Sequence, residues 1–111
     1  PTAVYVPVKQ FKSAKKRKLL TTGLFGPIQI VSEYDNSQLE TVLDICESVP
    51  HHLTAAIVSN DPVFTDRVIG ETVNGTTYAG WRARTTGAPQ NHWFGPSGDP
   101  RGAGIGTDYA I

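Results

Sequence analysis

The chain has 111 residues, 39% hydrophobic and 18% charged, which fits one globular domain able to bury about 60–70% of its unfolded surface. A single Cys excludes an internal disulfide framework and a Cys-based zinc site, and no apolar run approaches the ~18 residues of a membrane span. Net charge is zero but segregated: six of the ten basic residues lie within 9–18 and none within 19–66, where Glu33, Asp35, Glu40, Asp44, Glu47, Asp61 and Asp66 fall.

So dipolar a layout suits contact between copies of the chain. The N-terminus has no basic-then-apolar leader, so the expected location is the cytoplasm or an assembled particle rather than a secreted pool. With no Met present, Pro1-Thr2 reads as the product of Met removal or of proteolytic maturation.

Residues 2–8, with Val4, Tyr5, Val6 and Val8, read as a strand, and Pro7 places it at a sheet edge because proline lacks the ladder donor. Residues 9–18 follow as a basic arm carrying Lys9, Lys12, Lys15, Lys16, Arg17 and Lys18. Three uses are open to it: a solvated loop, docking on an acidic protein surface, or neutralising nucleic-acid phosphates. Residues 19–26 read as an apolar, glycine-punctuated connection, and Ile28-Gln29-Ile30-Val31 begins a second strand.

Ser37-Gln38-Leu39-Glu40 has capping-box form, and Leu39, Val42, Leu43 and Cys46 recur at helical spacing, which predicts an amphipathic helix over 38–49, closed by Pro50. Cys46 falls on the apolar stripe and reads as a small buried hydrophobe. His51-His52 lacks any metal-ligand spacing and reads as capping or solvent-facing. Residues 53–59 read as a buried strand ended by the turn Asn60-Asp61-Pro62.

Asn74-Gly75 lies between two runs of β-branched and aromatic residues, which predicts a hairpin over 64–85 with a type I′ turn. In that register Arg67 faces Arg82, with Arg84 nearby, and a patch of guanidiniums calls for an anion. Residues 87–111 form a Gly/Pro-rich extension after a compact domain spanning 1–86. The extension carries His92, Trp93, Phe94, Tyr109 and Ile111, bulky groups suited to anchoring on a neighbour.

These elements predict an α+β fold, an antiparallel sheet of about four or five strands with one packed helix, or alternatively a small partly open β-barrel plus helix. The function they suggest is structural: an oligomeric assembly component, such as a capsid, decoration or tail/neck protein of a virion, docking through its arm and tail onto other copies or subunits. A nucleic-acid-binding module using residues 9–18 and the arginines is the alternative. A small ribonuclease built from His92, Arg82, Arg84 and either His51 or Glu71 is a third, any chain with these residues offering such a set. No enzyme activity, cofactor, metal, membrane contact or small-molecule substrate is expected. The glycine run 102–106 has no strand before it and no helix after it, as a dinucleotide loop would need.

Overall fold

A computed structural model describes residues 1–24, 26–52 and 54–83. The chain divides into two units, Pro1–Val49 and Pro50–Ile111.

In the first unit, β1 (Thr2–Tyr5) is followed by a 3-10 turn (Val8–Lys12) and a helix, α1 (Ala14–Leu20), before β2 (Ile28–Val31). A helix between two strands lets them run side by side in the same direction, and β1 pairs parallel with β2, Thr2 against Ile28 through Tyr5 against Val31. Val6 N–H donates to the Val31 carbonyl at 2.9 Å and the Ser32 hydroxyl to the Val6 carbonyl at 2.7 Å, carrying the pairing beyond the strands. Val6, Val8 and Phe11 then turn inward and are buried, as are Leu39 and Leu43 of α2 (Leu39–Ser48). The predicted strand over 2–8 is therefore shorter, because Pro7 precedes the 3-10 turn and its neighbours serve the core.

α2 lies within the predicted 38–49 range, but its cap differs. The capping box is formed by Asp35 and Gln38 around the 3-10 turn Asn36–Gln38, two residues before the Ser37–Glu40 pair. Cys46, in the last turns of α2, is exposed rather than buried.

The second unit repeats the strand–helix–strand order: β3 (Thr54–Ile57), α3 (Pro62–Glu71), β4 (Thr76–Ala79). β3 pairs parallel with β4, Thr54 against Thr76 through Ile57 against Ala79. Gly75 N–H donates to the His52 carbonyl and Gly80 N–H to the Ile57 carbonyl, both at 3.0 Å, extending the ladder at each end. His52 is buried, against the solvent-facing expectation, while His51 is exposed.

The hairpin is overturned. Asp61 caps α3, its carboxylate accepting from Val63 N–H at 2.9 Å, and Pro62 occupies the first helical turn, where its missing N–H costs nothing. Phe64, Thr65, Arg67, Val68 and Thr72 are the half-buried residues from 64 to 72, a helical stripe. Asn74 and Gly75 lack the positive φ that a type I′ turn requires; among the described residues only Gly80 has one, at 125°. The antiparallel sheet of four or five strands is overturned with it, as is the partly open barrel: the described strands form two separate two-stranded parallel sheets.

The β1–β2 sheet is thinly covered. All four residues of β1 are exposed and three of four in β2, leaving Val4, Tyr5, Ile28 and Val31 at the surface. Parallel sheets are ordinarily covered on both faces.

Two glycines test the backbone assignment in opposite directions. Gly70 lies inside α3 with nothing within 4 Å of an added Cβ, so Gly70→Ala is expected to raise stability by about 0.5–1 kcal/mol. Gly80, with equally open surroundings but its positive φ, is expected to lose about 1–2 kcal/mol on the same change. Paired urea melts read both signs.

Candidate functional site

The basic segment 9–18 is folded rather than an open arm. Lys9 and Lys12 sit on the 3-10 turn, Lys15, Lys16, Arg17 and Lys18 on α1, and Ser13 caps the helix by accepting from Lys16 N–H at 3.4 Å. Arg17 turns inward: its Nε donates to the Phe11 carbonyl at 2.8 Å and its guanidinium pairs with Asp44 of α2 at 2.9 Å. The acidic middle of the sequence thus meets the basic cluster inside the same unit. Lys16 Nζ donates to Gln10 at 2.7 Å, and the remaining lysines are exposed.

Arg67 and Arg82 do not face each other across a hairpin. Arg67 lies on α3, where it pairs with Glu71 one turn on at 3.1 Å. Arg82 follows β4 and stacks over the Trp81 ring, 4.7 Å from its centroid, a cation–π contact. Trp81 is 79% exposed. Arg84, His92, Trp93, Phe94, Tyr109 and Ile111 lie outside the described residues, as does the ribonuclease reading of His92.

One concavity that sequence reasoning missed is a cleft of about 470 Å³ where β1 runs into the 3-10 turn, its lining including Tyr5, Lys9, Glu33, Tyr34, Asp35 and Gln38. Two of these groups are already committed. The Asp35 carboxylate accepts from Ser37 N–H at 2.9 Å and from the Ser37 hydroxyl, and Gln38 Oε1 accepts from Asp35 N–H at 3.0 Å. Two phenols, one ammonium and one carboxylate remain, a surface that can hold a polar ligand. Sequence spacing gives no sign of it, because Tyr5 and Tyr34 meet only through the parallel pairing.

Among the described residues no cluster of His, Cys, Asp and Glu could hold a metal ion. Cys46 is the one thiol, and desolvation pushes it above its ordinary pKa although the residue is exposed. A thiol held protonated is the reverse of an activated nucleophile. Alkylation of Cys46 by iodoacetamide is expected to be slower than that of a free thiol at neutral pH, rising with pH to a midpoint above the free thiol's. A fast reaction at neutral pH would reverse that assignment.

No helix among the described residues is long and apolar enough to cross a membrane. No family model matches the chain. A protein of Linum usitatissimum named "Probable aldehyde dehydrogenase" is 65% identical over 111 residues, covering 100% of this chain. The Arabidopsis thaliana protein named "Delta-1-pyrroline-5-carboxylate dehydrogenase 12A1, mitochondrial" is 64% identical over 112 residues, again across 100% of the chain. The chain spans 20% of the length of each of these relatives. Both names are those of enzymes, which overturns the expectation of a virion or other non-enzymatic assembly protein. The nucleic-acid module and the ribonuclease fall with it, since both names are of dehydrogenases.

Proposed function

We propose that this chain is one segment of a dehydrogenase of the aldehyde-oxidising kind, with Δ1-pyrroline-5-carboxylate a candidate substrate of the whole protein. The observation that carries this reading is identity of 65% and 64% to two dehydrogenases along the entire chain. The geometry agrees in kind. Two strand–helix–strand units with parallel pairing are the building pieces of α/β enzymes, and the exposed β1–β2 sheet needs further strands and helices to cover it.

In this reading the segment's described residues supply scaffold. Their one thiol, Cys46, is pushed above its ordinary pKa by desolvation and is not the nucleophile of this reading. The partner of first importance is then the rest of the polypeptide, with contact between copies of the whole protein a further proposal. The compartment proposed is the mitochondrion, named for one of the two relatives.

The test is a chimera in which this chain replaces the matching segment of the Arabidopsis protein, assayed for oxidation of Δ1-pyrroline-5-carboxylate and of simple aldehydes. Turnover above that of the same protein lacking the segment supports the reading. A chimera that folds and oxidises neither substrate refutes it.

A further inference from the structure

Residues 1–32 contain no Asp or Glu and six basic residues. Arg17, Leu20 and Thr21 form the half-buried side of α1. Lys15, Lys18 and Leu19, spaced three and four residues apart, form the opposite, outward side. Lys12 lies three residues before Lys15 and is exposed, as is Lys9. Among the described residues none of Lys9, Lys12, Lys15 and Lys18 makes a side-chain hydrogen bond or ion pair. Leu19, on the same outward side next to Lys18, is 72% exposed, and Leu24, in the loop beyond, is 52% exposed.

We propose that this outward face of α1 docks on an anionic phospholipid bilayer. Charge complementarity supplies the attraction, because clustered lysines are drawn to an anionic lipid surface and need no fixed geometry to be so. Leu19 supplies the second element, an apolar side chain that gains by entering the headgroup–acyl boundary beside the snorkelling lysines. Nucleic acid fits the face less well. The one aromatic of residues 9–20, Phe11, is only 6% exposed and offers no base a stacking surface, and their one guanidinium is held by Asp44 and the Phe11 carbonyl. Nor has a phosphate backbone any use for Leu19. Peripheral docking of this kind needs no membrane span, and it goes beyond the dehydrogenase reading without depending on it.

Co-sedimentation of the full chain with vesicles tests the proposal. Phosphatidylcholine vesicles containing phosphatidylserine are expected to bind it at low salt and release it as salt rises, while pure phosphatidylcholine vesicles do not bind. Combining Lys12→Gln, Lys15→Gln and Lys18→Gln is expected to weaken binding about a hundredfold, at about fivefold per lysine. Leu19→Ser leaves the charge untouched and is expected to weaken binding about fivefold. Val63→Ser, at an equally exposed apolar residue of α3, is expected to leave binding unchanged. All these positions face solvent, so each variant should keep the parent's circular dichroism. Equal binding to neutral vesicles, or no effect of Leu19→Ser, overturns the proposal. So does a DNA duplex that is bound as tightly as the anionic vesicles and is indifferent to Leu19.

Discussion

Phe11→Ala is expected to cost about 3–5 kcal/mol, measured as lost helical signal in a urea melt of the chain. Phe11 is 6% exposed, and among the described residues of the first unit Val6, Val8, Leu39 and Leu43 are the apolar residues buried with it. A core of that size has little to spare against a total stability of about 5–15 kcal/mol. The same substitution also disturbs the anchoring of α1, since Arg17 bonds to the Phe11 carbonyl. Lys12→Ala, one residue on and exposed, is expected to change stability by no more than about 0.5 kcal/mol. Equal effects at the two positions would mean that Phe11 does not hold the unit together.

Val68→Pro is expected to cost about 3 kcal/mol or more, because it falls in the middle of α3, where proline removes a helical hydrogen bond and clashes with the preceding turn. Pro62→Ala, at the start of the same helix, is expected to cost less than about 1 kcal/mol. Thermal melts of the two variants separate a helix, which tolerates proline at one end only, from an irregular segment indifferent to both changes. A mild effect at position 68 would remove α3 from the fold.

The error over residues 64–85 has a definite origin. Phe64, Thr65, Val68, Ile69 and Val73 are all residue types favoured in strands, and Asn74-Gly75 is a strong turn signal. The competing signal was also present: Asp61-Pro62 is a helix cap followed by proline in the first turn, and Phe64, Arg67, Val68 and Thr72 keep helical spacing. Propensity misled because the cap and the packing stripe decide the segment. A strand over this stretch puts parallel pairing of β3 and β4 out of reach, since that pairing depends on a helical crossover.

α2 was legible because its apolar stripe and Pro50 agree, and β2 and β3 because each is a short apolar run between breakers. The basic cluster was visible, but its folding was not, because the Arg17–Asp44 pair spans 27 residues of sequence. Function was illegible for a plainer reason. The chain spans 20% of the length of the dehydrogenases it resembles.

Amide hydrogen exchange at Ile28–Val31 tests most directly whether these strands belong to a larger sheet. In the chimera with the Arabidopsis protein, exchange at β2 should be slower than in the chain alone by about a hundredfold or more, because added strands and covering helices shut off local opening. Equal exchange in the two would show that the sheets are complete as they stand, and would contradict the account of this chain as a segment of a larger enzyme.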